Sequence, residues 1–481
     1  MPCILRVAVS VGLLAFGLSA QGAQFVVRTP PALAPLYLFD AKAADLDGDG
    51  DLDLCGPSIQ LFVPRHVLLR NDGAERFTDV SANLPPASQS SQTMLPFDMD
   101  LDGDLDLFVS PGRLWRNQGN LTFVDASANL PAGVATSLGV EAVDFDGDGD
   151  LDLAMVGLPL FGYSRILVNQ GNGVFAVSPG TVPTPGFGLT TADFDQDGDA
   201  DIAVAGTSVL KLLRNDGSWV FTDVTPQWMP GVAPFQCTGV TAADFDGDGV
   251  PDLWTSAASG SQLWRFASGA FAVASSLPSC VQGHSFVVAD VDEDDDLDLV
   301  SSNLLGPAVQ LAVNDGTGNF ALAPSRLSIA NVGSSRLTGG DFDGDGDVDF
   351  VVADSAGPSR LVLNRHRDLV PGQPVVGQTW NVQMASEPGY ATLHHTARLA
   401  IAVAALPSPA TIPGVGDLWL DLSLGYVFFE NVVFAGSGQC TFPFVVPPSP
   451  SLVGLPLYLQ GLLEQYRAPT RLTAHFRVVV Q

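Results

Sequence analysis

Aspartate carries the most conspicuous chemistry in this chain, because it recurs at alternate places in a nine-residue pattern, D-x-D-x-D-G-x-x-D, followed by an apolar residue. The pattern reads DLDGDGDLDL from Asp45, DMDLDGDLDL from Asp98, DFDGDGDLDL from Asp144 and DFDQDGDADI from Asp193. It returns as DFDGDGVPDL from Asp244, DVDEDDDLDL from Asp290 and DFDGDGDVDF from Asp341. Carboxylates at alternate places of a tight loop can aim at one point, and several hard oxygen donors suit calcium, which binds them at about 2.3 to 2.6 Å. In the first loop Asp45, Asp47 and Asp49 are expected to give one side-chain oxygen each, with Gly50 allowing the sharp reversal. Asp51 would give its backbone carbonyl, its side chain pointing outward, and Asp53 would close the shell with both oxygens.

The same places are filled by Asp98, Asp100, Asp102 and Asp106, by Asp144, Asp146, Asp148 and Asp152, and by Asp193, Asp195, Asp197 and Asp201. Asp244, Asp246, Asp248 and Asp252 follow, then Asp290, Asp292, Asp294 and Asp298, and last Asp341, Asp343, Asp345 and Asp349. Val250 and Pro251 in the fifth loop are harmless if only a carbonyl is needed there, whereas in the sixth Asp295 replaces the turn glycine and Glu293 adds charge. An EF-hand is excluded, since its twelfth-place glutamate on a following helix is here Gly56, Val109 or Met155.

The loops also account for the charge. The net charge is −31, and 36 of the 52 acidic residues lie in these loops. Two carboxylates about 4 Å apart repel by about 1 kcal/mol in water and about 4 kcal/mol at an effective dielectric of about 20, so loops without cations should splay. Seven structural calcium ions would bring −31 to −17. Such an acidic chain excludes nucleic acid and anionic membrane surfaces as natural partners.

What must position these loops follows from their spacing. Successive loops start 53, 46, 49, 51, 46 and 51 residues apart. Each is preceded by a small or apolar residue, Ala44, Phe97, Val143, Ala192, Ala243, Ala289 or Gly340. Each is followed by an apolar strand, and most continue into a second that ends in a turn, as in LLRNDG (68–73), LWRNQG (114–119), ILVNQG (166–171), LLRNDG (212–217) and LAVNDG (311–316). Asn or Asp before Gly marks hairpin turns that need positive φ. A fourth strand is visible in FTDVSANL (77–84), FVDASANL (123–130) and FTDVTPQW (221–228). Four short antiparallel strands in about 50 residues make a propeller blade. The fold class is therefore all-β, a seven-bladed β-propeller. The seventh repeat lacks a fourth strand after LVLN (361–364), and QFVVRTPPAL (24–33) is expected to supply it and close the ring.

With these residues in hand, the repeats resemble the FG-GAP and VCBS repeats of extracellular, bacterial-type proteins, and the loops look like those of the integrin α propeller. The resemblance covers roughly residues 24–368 and implies that calcium loops join the first two strands of each blade and brace one face, while ligands meet the other. By position, the loop aspartates named above are the implied calcium ligands. It implies a binding or adhesion module for a glycan or protein, with a polysaccharide lyase or hydrolase and a purely structural surface protein as the alternatives.

Candidate ligand contacts are Phe62 and His66 in the first blade, Phe161, Tyr163 and Arg165 in the third, and Trp228 before the fifth, since exposed aromatics stack on sugars or anchor proteins. No G-x-S-x-G elbow, H-E-x-x-H zinc helix or phosphate loop occurs, so no catalytic residue is assigned. Residues 1–23 read as a secretory signal, with Arg6, an apolar run from Val7 to Leu18, and small residues Ala20, Gly22 and Ala23. No other apolar run reaches a membrane span, so a secreted or cell-surface location is expected. Cys237 and Cys280 precede consecutive repeats and could pair. Residues 369–481, where the aspartate loops stop, are expected to form a β-sandwich-like domain.

Overall fold

The computed structural model describes residues 25–364, apart from loop stretches at 61–62, 74–75, 87–89, 135–136, 158–163, 181–183, 207–209, 233–234, 258–259, 279–282, 293, 295, 304–308, 325, 330–334 and 345, and beyond them the backbone of strands between Leu369 and Val479. Seven sheets of the propeller type succeed one another along the chain. In the third, Gly139–Val143, Asp152–Val156, Arg165–Asn169 and Phe175–Val177 pair in sequence order, all antiparallel. The register is the same around the ring. The last residue of the first strand faces the ninth aspartate of the loop, as Ala44 faces Asp53, Phe97 faces Asp106, Val143 faces Asp152 and Ala192 faces Asp201.

The seventh sheet takes Phe25–Arg28 as its outer strand, beside Arg360–Asn364, with Asp349–Asp354 and Ser335–Gly340 inside. Ring closure by the N-terminal segment is thus observed. It is backed by Ser359 N donating to Leu36 O (3.0 Å) and Ala43 N donating to Thr338 Oγ1 (3.1 Å).

Apolar packing lies between blades, and the residue at the second place of each aspartate loop is its plug. Leu46, Met99, Phe145, Phe194 and Phe245 are all at most 3% exposed. Phe145 meets Phe221 edge-on with ring centroids 5.6 Å apart, and Phe245 meets Phe320 at 5.5 Å, so each plug sits on the phenylalanine that opens the next blade's fourth strand. Such edge-to-face pairs add about 0.5 to 1.5 kcal/mol beyond the area they bury. The loop that gathers carboxylates at the surface is therefore anchored in the core by its second residue.

Two expectations are corrected here. Cys237 is a free, buried thiol that donates to Gly239 O at 2.8 Å, so it does not bridge to Cys280, which lies outside the described residues. Burial pushes its pKa up to about 12. The β-sandwich at 369–481 is not supported: the strands there form separate sheets of three (369–370, 379–385, 439–445), four (426–433, 395–402, 456–464, 471–479) and two (405–412, 416–420). Among the described residues no helix is long and apolar enough to cross a membrane.

Candidate metal centre

The four aspartates of a loop do different work. The first shapes the turn: Asp45 accepts from Gly48 N and Asp49 N through Oδ1 (2.8 and 3.1 Å) and from Gly50 N through Oδ2 (3.0 Å). Asp144 and Asp341 make matching bonds, to Gly147 and Gly149 and to Gly344 and Gly346. The turn runs through left-handed backbone at its fourth and sixth places, as in Gly48 (φ 75°) and Gly50 (φ 95°). Leu101 (φ 58°) and Gln196 (φ 60°) adopt that conformation without being glycine. The aspartate at the fifth place pins the exit, with Asp51 N donating to Asp49 Oδ1 at 3.0 Å.

The ninth aspartate was expected to close the shell with both oxygens, and each of these already holds a backbone amide. Asp152 Oδ2 accepts from Phe145 N (3.0 Å) and Oδ1 from Asn169 N (2.8 Å). Asp53, Asp106, Asp201 and Asp298 repeat both bonds. One lone pair per oxygen remains for a cation.

At the third place one oxygen is left bare in several loops, whereas in the fifth Asp246 Oδ1 accepts from Asp248 N at 3.3 Å. The Oδ1 atoms of Asp47, Asp100, Asp195 and Asp292 are buried without a hydrogen-bond partner, as is that of Asp98. In each of the clusters Asp45/Asp47/Asp53, Asp98/Asp100/Asp106, Asp144/Asp146/Asp152, Asp193/Asp195/Asp197 and Asp244/Asp246/Asp248, one carboxylate oxygen per residue lies within 4.8 Å of the others. Oxygens that close together can be met by one calcium ion with bonds of about 2.4 Å. A buried carboxylate oxygen with no donor is costly unless a cation meets it, so these residues fit a divalent ion with oxygen preference.

Electrostatics agree. Burial raises Asp53, Asp106, Asp152, Asp201 and Asp252 to about 7 and Asp298 to about 8. Asp47, Asp100, Asp146 and Asp195 are raised by burial and then by the fifth-place carboxylate beside each. These groups resist carrying charge together until a cation joins them.

A residue type that reads in the sequence only as turn chemistry completes the site. The asparagine ending the third strand donates through Nδ2 to the second-place carbonyl of the preceding blade's loop: Asn117 to Leu46 O (2.9 Å), Asn169 to Met99 O (2.8 Å), Asn215 to Phe145 O (3.0 Å) and Asn314 to Phe245 O (2.7 Å). The loops at Asp45, Asp98, Asp144 and Asp244 are thereby tied to the next blade. The fifth blade has Phe266 at this place, and Phe194, Trp228 and Phe271 pack on one another around it. Asn169→Ala should lower stability by about 2 kcal/mol in urea unfolding, because the carbonyls of Met99 and Leu151 both lose a donor.

The sixth loop keeps the frame, with Val291 N on Asp298 Oδ2 (3.2 Å) and Asp294 N on Asp290 Oδ1 (3.1 Å), while Glu293 and Asp295 lie outside the described residues, as does Asp345 of the seventh. Seventh-place side chains do not point away into solvent. Asp150 and Asp199 are half-buried beside the hairpin glycines, where a Cβ on Gly171 or Gly217 would come within 3.5 and 3.7 Å of their Oδ2.

Two candidate ligand contacts are core residues instead. His66 lies on strand Val63–Asn71, buried, with Nε2 2.5 Å from Ser91 Oγ and its ring edge-on to Trp115 at 5.0 Å. Burial, helped by Arg113, pushes its pKa down to about 4. Trp228 ends a one-turn helix, Thr225–Trp228, that folds back on the third strand and buries the ring. Arg165 opens the third strand of its blade, half-buried, and Phe62, Phe161 and Tyr163 lie outside the described residues.

The model of the FG-GAP-like repeat family matches residues 110–155 and 193–255, spanning blades and loops of the kind just described. Within its seven-bladed propeller the chain carries FG-GAP-like repeats. No curated protein sequence matches this propeller. Among solved structures it is similar to an Agrocybe aegerita lectin that recognises non-reducing terminal N-acetylglucosamine, with 18% identity over 71% of this chain and 85% of that one, at a TM-score of 0.42. It is also similar to BBS1N in complex with ARL6DN (12% identity, 71% of this chain and 97% of that one, TM-score 0.46). The V. cholerae biofilm matrix protein Bap1 matches at 10% identity over 95% of this chain and 71% of that one, with a TM-score of 0.29.

Proposed function

We propose that this FG-GAP propeller is an extracellular binding module in which calcium, held by the aspartate loops, is structural and a glycan or protein partner is met on the opposite face. The observation that carries the calcium assignment is the bare, buried third-place oxygen at Asp47, Asp100, Asp195 and Asp292, each beside carboxylates it repels. A bound ion would neutralise that repulsion and leave the loop bonds intact. Because the loops also hold the blades together, loading them stiffens the ring that presents the other face.

The opposite face in this reading is the end of the second and third strands away from the loops, where Met155 pairs with Arg165 in the third blade. Residues 1–23 act as the export signal in this reading, 24–368 form the propeller, and 369–481 are a separate appended domain. A glycan array probed with the full chain, in calcium and in chelator, tests the proposal. Calcium-dependent retention of a defined sugar class supports it. Release of shortened product from a bound polysaccharide would favour a lyase or hydrolase, and neither binding nor turnover would favour a structural protein.

A further inference from the structure

We propose that six of the seven aspartate loops form two affinity classes of divalent-cation site, set by where the chain's own arginines fall. The inference rests on the calcium reading above and concerns its regulation. In three blades an arginine stands just before the asparagine that ends the third strand, Arg70, Arg116 and Arg214, and in the fifth Arg265 stands just before Phe266, which takes the asparagine's place. Each can swing towards the third-place aspartate of its own blade's loop.

What decides its position is the turn. In the first and fourth blades the turn carries an aspartate, which captures the guanidinium. Arg70 Nη2 lies 2.7 Å from Asp72 Oδ1 and Arg214 Nη2 lies 2.6 Å from Asp216 Oδ1, while Thr78 and Thr222 donate to the remaining oxygens of those aspartates. In the second and fifth blades the corresponding residues are Gln118 and Ala267, which offer no charge. There the arginine turns to the loop instead: Arg116 Nε is 3.5 Å from Asp100 Oδ2 and Arg265 Nε is 2.9 Å from Asp246 Oδ2. The sixth loop acquires a guanidinium from a different segment, with Arg326 paired to Asp292. The third blade has Val168 at the arginine's place.

Asp100 and Asp292 are the telling pair. Their side chains are only 9% and 7% exposed, one oxygen of each faces a guanidinium, and the other is buried without a hydrogen-bond partner. An arriving cation must displace the guanidinium or accept its repulsion, and arginine stays charged at any working pH. The loops at Asp98, Asp244 and Asp290 are accordingly the weak class. Those at Asp45, Asp144 and Asp193 are the tight class, separated from the weak by about tenfold or more in Kd.

The test is calorimetric titration of the stripped full chain with calcium alone. A biphasic isotherm is expected, with Arg116→Met moving one ion from the weak to the tight phase and Gln118→Asp doing the same by recapturing Arg116. Asp72→Asn should free Arg70 towards Asp47 and move one ion the other way. A single uniform phase that none of these variants changes would overturn the inference while leaving the calcium reading standing. No heat and no retained calcium would remove both.

Discussion

Stripping the protein with a chelator should lower its melting temperature by more than about 15 °C, and returning calcium should restore it. A site at a hundredfold excess over its Kd contributes about 2.7 kcal/mol. Several such sites acting on one ring exceed any single core substitution. The effect should depend on pH in a definite sense. Without metal, Asp53, Asp106, Asp152, Asp201 and Asp252 sit near 7 and Asp298 near 8, raised chiefly by burial, against about 4 for an unfolded aspartate. Between those values the folded chain binds more protons than the unfolded one, so metal-free stability falls as pH rises from about 4 to about 8. Calcium needs the same oxygens deprotonated, so its affinity rises over that window. The gap between loaded and stripped melting temperatures should therefore widen from pH 5 to pH 8, as scanning calorimetry can measure. A gap that narrows would mean that these carboxylates are not the ligands.

Asp152→Ala should cost about 4 kcal/mol or more in the loaded protein, the largest loss expected from any one loop residue. It orphans Phe145 N and Asn169 N, both buried, at about 1 to 3 kcal/mol each, and removes a ligand besides. Asp150→Ala, two places earlier, keeps the backbone carbonyl and should cost less than about 1 kcal/mol in urea unfolding. Equal losses from the two substitutions would contradict the division of labour within the loop.

The ring was legible because the tight turn of each loop fixes residue spacing within it and blade geometry fixes the spacing between loops, so both periods are written in aspartates. The missing strand of the seventh repeat was visible for a related reason, since a closed ring leaves no edge unpaired. The asparagine ties were hidden. Asn169 before Gln170 and Gly171 satisfies a turn, and nothing local reports that its amide also reaches Met99 of the preceding blade. Trp228 and His66 misled for the converse reason: local sequence placed them near loops, whereas their burial depends on neighbours far along the chain, Phe194 and Phe266 for one and Trp115 for the other. Beyond Pro371 the alternating apolar pattern announces strands but carries no repeat to set their order, and the three sheets found there follow no pattern that the sequence displays.

The central claim is that the aspartate loops are metal sites that hold the blades together. Metal analysis of the full chain after dialysis against calcium tests it most directly. About seven calcium ions per chain are expected, or six if the loop at Asp290 does not fill, and two or fewer would contradict the account.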